Sequence, residues 1–303
     1  MSSIVQYAPA KLNLFLHITG KRPDGYHNLQ TVFRLINLYD TLTFDITNKP
    51  NLGQLPIQLK NAETITEAVG DNLIVKASLA MLNFVKNQSL FSQSQIDNLP
   101  IVNIRLDKQI PMGAGLGGGS SDCATTLMML NDIWQLNLSN QQIRDIGATL
   151  GADVPIFIFG QDAIAEGIGE ILTPIDLLPQ RFLLLKPNAH INTKVLFGNS
   201  ELHRNCPIFS HTYLRQHTAD FTDNLSIEFS NVFEPVVKTL SNEITNALDY
   251  LSELAKSTGT TPRLTGSGSC VFLPLPTSLG AKQLNQWQQQ APCQSWVVNS
   301  LGS

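Results

Sequence analysis

The chain has 303 residues, of which 43% are apolar and 15% charged, with a net charge of −4. That apolar content builds a real core and excludes a disordered chain, and the length suits about two domains. The acidic balance gives no global attraction for a polyanion, so a nucleic-acid role is disfavoured, although single basic residues can still meet a small anion.

Four cysteines, Cys123, Cys206, Cys270 and Cys293, form no Cys-x-x-Cys pair and read as reduced structural thiols. The first residues lack a basic, apolar leader, and no apolar run is long enough to span a bilayer. A cytoplasmic protein without membrane association is the expectation.

Residues 10–18 alternate. Ala10, Leu12, Leu14, Leu16 and Ile18 share one face, and Lys11, Asn13, Phe15 and His17 share the other. This predicts a strand with one core face and one mostly polar face. Pro23-Asp24-Gly25 reads as a tight turn, and 30–46 as further strands. A helix is expected over 71–85, a surface loop over 87–99 and a strand over 101–106. A glycine loop follows at 111–121, then a helix over 122–134 capped by Ser120 or Ser121. Ser139 should cap a helix ending at Gly151, and 156–159 reads as a short apolar strand. Further on, 182–185 and 271–275 read as strands and 234–256 as helical. Residues beyond 276 carry no signal. Strands and helices mix without strict alternation, so the expected class is α+β. The expected domains are an ATP-binding and catalytic one over 1–160 and a substrate-binding one over 161–303.

The glycine loop is the most informative segment. It comprises Pro111, Met112, Gly113, Ala114, Gly115, Leu116, Gly117, Gly118, Gly119, Ser120 and Ser121. Five glycines in seven residues permit positive φ and a close approach of ligand to main chain. Successive amides, two hydroxyls and the positive end of the following helix suit a polyphosphate. No Gly-Lys-Ser/Thr closes it, so it is not a Walker A loop. Gly113-x-Gly115-x-x-Gly118 mimics a dinucleotide fingerprint, but a second helix follows where a strand is needed. His-Arg-Asp and Asp-Phe-Gly signatures are absent, which excludes a protein kinase.

Other polar groups each allow two readings. Asp153, in Leu150-Gly-Ala-Asp-Val-Pro155, is a candidate base or an ordinary capping residue. Lys11 and Asn13 could meet a phosphate or simply face solvent. Tyr26 and His27 could stack on and read a planar base, or merely complete a hairpin turn. The small-residue loop Leu264-Thr-Gly-Ser-Gly-Ser-Cys270 could hold a substrate phosphate or be a plain turn.

Three motifs in order resemble the superfamily of galactokinase, homoserine kinase, mevalonate kinase and phosphomevalonate kinase. They are Ala8-Pro-Ala-Lys-Leu-Asn13, residues 111–121 and residues 265–270. Lys21-Arg-Pro-Asp-Gly-Tyr-His-Asn-Leu-Gln30 and Gly151-Ala-Asp-Val-Pro155 narrow the match to the 4-diphosphocytidyl-2-C-methyl-D-erythritol kinase family. The resemblance covers about residues 7–275. It implies two α+β domains with the active site in the cleft between them, and ATP with Mg²⁺ as cofactors. It implies phosphorylation of the 2-hydroxyl of a cytidine-diphosphate-linked methylerythritol, a step of the non-mevalonate route to isoprenoid precursors. Asp153 matches the family's catalytic aspartate, and Lys11 the lysine that orients it and stabilises developing charge. Tyr26 would stack on cytosine, His27 would read its edge, and Phe197 would supply the second stacking face. Asn13 would touch the substrate near the transferred phosphate, with Gly266, Ser267 and Gly268 lining the substrate phosphates. Asn72, Leu73 and Lys108 match positions on the adenine side. No side-chain metal ligand is expected. The partner is the small-molecule substrate alone, with neither nucleic acid nor membrane, and the state is monomer or weak dimer. The alternatives are a sister kinase acting on another alcohol, a non-catalytic nucleotide-binding module and a dehydrogenase.

Overall fold

The computed structural model describes residues 2–51, 54–61, 69–222 and 227–302. It is an α+β chain that divides into two compact units, each built from several segments. Unit 1 holds Met1–Pro9, Leu38–Ile110 and Gly117–Gly160, and unit 2 holds Ala10–Asn37, Pro111–Leu116 and Gln161–Ser303. Residue 160 ends the last segment of unit 1. Lys11, Asn13 and the first half of the glycine loop nevertheless belong to unit 2.

Two long strands open the chain, β1 (Ser2–Lys21) and β2 (His27–Pro50), and they pair with each other. The turn between them holds Gly25 at a φ of 88°, and the Arg22 amide donates to the Tyr26 carbonyl at 2.7 Å. The polar face expected along 10–18 is not solvated: Lys11, Asn13 and His17 are as buried as the leucines opposite. Pairing and packing cover both faces of this stretch, so its polar groups find partners inside the protein.

In unit 1, β3 (Ile57–Lys60) runs parallel to β4 (Pro100–Asp107), and β4 pairs antiparallel with β2 from Thr41 to Pro50. Helix α1 (Leu73–Asn87) starts two residues later than the expected 71, because the Asn72 side chain caps it by accepting from the Ile74 amide. The expected loop at 87–99 contains a short helix, α2 (Gln93–Asp97), held by a capping box between Ser92 and Gln95 around the buried Ile96. Helix α3 (Gly118–Ile133) absorbs the end of the glycine loop. Its cap is Gly117, in left-handed conformation, and not Ser120 or Ser121, which lie in its first turn. Ser139 caps α4 (Asn140–Ala148) through a capping box with Gln142. The apolar run after Asp153 is a helix, α5 (Val154–Phe159), and not a strand. Pro155 in its first turn and Gly160 at its end are helix punctuation, and they outweigh β-branched composition in six residues. Helices α1 and α4 pack on α3, and α3 and α4 pack on α5, so α3 is buried nearly all round.

In unit 2, β5 (Ala163–Glu166) pairs antiparallel with β2 and with β6 (Ile171–Pro174). A second, antiparallel sheet has the order β10-β7-β9-β8, from β7 (Arg181–Lys186), β8 (Arg263–Leu264), β9 (Val271–Leu275) and β10 (Gln294–Asn299). Between β7 and β8 come α6 (Thr193–Gly198), α7 (His211–Gln216), α8 (Thr218–Thr222), α9 (Glu234–Leu240) and α10 (Asn242–Thr258). The helical stretch expected over 234–256 is therefore two helices, because the Ser241 side chain caps the second. Ile244, Ala247, Leu248 and Leu251 of α10 repeat at helical spacing and are buried, as are the apolar residues of β9 beneath them. Each such leucine contributes about 1.5–3 kcal/mol on full burial. The segment beyond 276, silent in sequence, adds α11 (Ala281–Gln290) and β10. No helix among the described residues is long and apolar enough to cross a membrane.

Candidate active site

In unit 2, three chain-distant segments meet at the start of the glycine loop. The Lys11 amide donates to the Leu116 carbonyl at 3.0 Å, and the Cys270 amide to the Ala114 carbonyl at 3.1 Å. The Asn13 amide donates to Thr265 Oγ1 at 3.0 Å. Gly113 and Gly115 have φ of 62° and 76°. A Cβ on Gly115 would lie 2.3 Å from the Thr265 carbonyl oxygen, so only glycine lets the loop approach this turn. Asn231 fixes the turn itself, donating from Nδ2 to the Leu264 and Gly266 carbonyls at 2.9 and 2.8 Å. Gly266 and Gly268 are also left-handed, and Ser267 Oγ lies 3.0 Å from Thr193 Oγ1 on the surface. Lys11 Nζ donates to Asn13 Oδ1 at 2.6 Å and sits 5.2 Å above the Phe33 ring.

Also in unit 2, Phe197 stacks on His27, with ring centroids 4.9 Å apart and planes 22° apart, and its edge meets Phe233. Tyr26 is 62% exposed and presents its ring to solvent. Burial lowers the His27 pKa, with Arg204 and Lys21 adding to the effect, so the imidazole is neutral near pH 7. Its Nε2 is buried and has no hydrogen-bond partner. A neutral imidazole offers one donor and one acceptor, the pairing that the edge of a planar base needs.

In unit 1, the second half of the loop opens α3. Its cap, Gly117, has no side chain to satisfy the first amides, so these are aimed at whatever lies before the helix. Ser121 Oγ is buried there without a hydrogen-bond partner. The 151–153 turn passes beside this point: a Cβ on Gly151 would lie 3.7 Å from Ser120 Oγ. Asp153 ends that turn, half-buried at the start of α5, and its side chain makes no capping bond to the helix.

Of the three residues expected on the adenine side, Leu73 and Lys108 lie beside the start of α3. Asn72 caps α1, and Leu73 Cδ1 would lie 3.5 Å from a Cβ on Gly119. Lys108 is held by two carboxylates, donating to Asp40 Oδ2 and, at 2.9 Å, to Asp122 Oδ2. Asp40 Oδ1 accepts from the amides of Gln109 and Ile110 at 2.7 and 2.8 Å, which fixes the chain entering the loop. Burial pushes the Asp122 carboxyl up to about 7; Lys108 opposes this and Asp40 adds to it.

Sequence reasoning missed Asp40, Thr31 and Asn231, and it gave Thr265 only as part of the 265–270 motif. Each of the missed residues is a short polar residue inside a segment that reads only as strand or turn, and no pattern marks it. Among the described residues, no three His, Cys, Asp or Glu side chains gather to hold a metal ion.

Residues 72–161 match the family model for the GHMP kinases N terminal domain. The chain is 49% identical to the 4-diphosphocytidyl-2-C-methyl-D-erythritol kinase of Psychrobacter cryohalolentis, over 99% of this chain and 98% of that one. It is 40% identical to the same-named enzyme of Acinetobacter baylyi, over 97% and 94%. It superposes on a crystal structure of 4-(cytidine 5'-diphospho)-2C-methyl-D-erythritol kinase with a TM-score of 0.76 and 26% identity, covering 99% of this chain and all of the other. A buried, uncapped glycine-loop helix and near-full-length identity lead to one conclusion: the chain belongs to the 4-diphosphocytidyl-2-C-methyl-D-erythritol kinase family.

Proposed function

We propose that the chain transfers the terminal phosphate of ATP to the 2-hydroxyl of 4-diphosphocytidyl-2-C-methyl-D-erythritol. One observation carries the reading furthest. The glycine loop opens a long helix whose first amides receive no side-chain cap, and it runs beside the turn that bears Asp153. That is a polyphosphate cradle next to a carboxylate. Residues 113–121 hold the phosphates. Bound together with the nucleotide that residues 113–121 would hold, Mg²⁺ would supply neutralisation of the phosphate charge. The Ser121 hydroxyl, buried without a hydrogen-bond partner at the start of α3, is a candidate donor to the phosphates. Asp153 takes the hydroxyl proton or positions the oxygen, and Lys11 stabilises the charge that develops. Asn13 and the 266–268 turn meet the substrate near its phosphates. His27 reads the cytosine edge, with Tyr26 and Phe197 as the stacking rings. The enzyme works in the cytoplasm as a monomer or weak dimer.

A sister kinase for mevalonate, homoserine or galactose is the second reading, but it leaves His27 Nε2 and its stacked Phe197 without a purpose. ATP consumption with Mg²⁺ across those alcohols and the cytidyl substrate separates the two. Turnover with the cytidyl substrate alone is expected, and turnover with another alcohol discards the cytidine pocket. In the same assay Asp153→Asn abolishes turnover while ATP still binds; near-normal turnover by this variant removes Asp153 from its role.

A further inference from the structure

We infer that Thr31 is a positioning residue for the reaction: its hydroxyl sets the orientation of the Asn13 amide, and through it the direction of the Lys11 ammonium. The inference rests on the reading of Lys11 and Asn13 given above.

Lys11 and Asn13 are two apart on β1 and so point the same way, and Thr31 lies on the paired strand β2. All three are 2% exposed or less. Their hydrogen bonds run in one direction. Lys11 Nζ donates to Asn13 Oδ1 at 2.6 Å, Asn13 Nδ2 donates to Thr31 Oγ1 at 3.0 Å, and Thr31 Oγ1 donates to the Phe15 carbonyl.

A hydroxyl has one proton. Thr31 gives it to a main-chain carbonyl that can only accept, so towards Asn13 it can only accept as well. The amide must therefore turn its NH₂ to Thr31, which leaves its oxygen facing Lys11. The reversed amide would oppose oxygen to oxygen at Thr31 and NH₂ to ammonium at Lys11. In water either orientation is open, but in this buried row each mismatch leaves a polar group unmet. The main chain of Asn13 is held independently by Thr265 Oγ1. Loss of the Thr31 hydroxyl thus frees the amide without freeing the strand. The Phe33 ring under Nζ attracts the ammonium but does not choose its hydrogen-bond direction.

The test is Thr31→Val, which keeps the shape and removes the hydroxyl, compared with Thr31→Ser, which restores it. Steady-state kinetics are read for both substrates, with thermal melting alongside. Thr31→Val is expected to lower kcat, by up to about 100-fold, with KM for ATP unchanged and the melting transition cooperative. Thr31→Ser is expected to recover most of kcat. Thr31→Ala gives the same comparison if valine does not fit. In a Lys11→Met background, Thr31→Val is expected to cause no further loss. Wild-type kcat in Thr31→Val overturns the inference, as does a Thr31→Ser enzyme no better than Thr31→Val, since the methyl would then matter and not the hydroxyl. An undiminished further loss in the Lys11→Met background also overturns it. If Lys11→Met alone turns over normally, the reading of Lys11 fails first and takes the inference with it.

Discussion

The two halves of the glycine loop exclude a side chain for different physical reasons. The first half, in unit 2, is held by main chain against main chain. Gly115 approaches the Thr265 carbonyl so closely that a Cβ would sit 2.3 Å from it, at a φ of 76°. The second half, in unit 1, is held by side chains. A Cβ on Gly118 would lie 2.9 Å from both Ile110 Cγ2 and Lys108 Nζ, and that lysine is itself tied to Asp40 and Asp122. Gly119, one residue on, would put its Cβ at an ordinary 3.5 Å from Leu73 Cδ1. Backbone cannot give way, a tethered lysine gives a little, and open packing need not give at all. Three neighbouring glycines should therefore respond to one methyl group in a graded way.

Gly115→Ala has the largest effect. The left-handed φ alone costs alanine about 1–2 kcal/mol, and the overlap with the Thr265 carbonyl adds to it. Chemical denaturation should show the stability loss, and KM for ATP should rise as the loop moves off the turn. Wild-type stability in this variant would mean that the approach to Thr265 is loose. Gly118→Ala comes next. Overpacking of this kind costs about 1–3 kcal/mol, offset by up to about 1 kcal/mol because alanine favours helix. A double-mutant cycle with Lys108→Met separates the two neighbours: a smaller loss from Gly118→Ala in the Lys108→Met background identifies the lysine as the obstacle, and an unchanged loss identifies Ile110.

How far this could be read in advance depended on the kind of signal. The glycine loop, the Ser139 capping box and the tight turn at Gly25 were legible because each depends on residues close together in sequence. The same locality makes the strand at 101–106 and the periodic helix expected over 71–85 plain, to within two residues at its start. The run 156–159 reads as a strand but is helical, since four apolar residues carry no usable period and Pro155 is the better witness. For the polar face of β1 the sequence leaves two readings open, a phosphate or solvent, because alternation shows which residues share a face but not what covers it. Asp40 was invisible, because it acts on Gln109 and Ile110 across 69 and 70 positions. Lys11, Asn13, His27 and Asp153 stand out by residue type and position, but each also has an ordinary reading by spacing alone, and only the resemblance assigns them roles.

The charged cluster behind the second half offers a smaller effect, in pH. The Asp122 carboxyl is pushed up to about 7 by burial, above its ordinary 3.8. Between those values the folded chain holds a proton that the unfolded chain has released, so the contribution of Asp122 to stability falls as pH rises through that window. Asp122→Asn should flatten the fall, so that the variant gains on the wild type as pH rises towards 7. Melting temperatures at pH 5, 6, 7 and 8 check this. Parallel curves for the two proteins would mean that Lys108 keeps Asp122 ionised throughout.

Gly119→Ala should have the smallest effect, and its sign should be opposite. The residue lies in the first turn of α3, with helical backbone and room for a methyl beside Leu73. Alanine removes the entropy that glycine loses on joining a helix, worth about 0.5–1 kcal/mol in a helix interior and less at its first turn. A neutral to slightly raised melting temperature is the expected outcome. A loss comparable to that of Gly118→Ala would show that α3 begins later than Gly118 and that Gly119 still belongs to the loop. The contrast between side-chain and main-chain restraint would then have to be drawn one residue further along the chain.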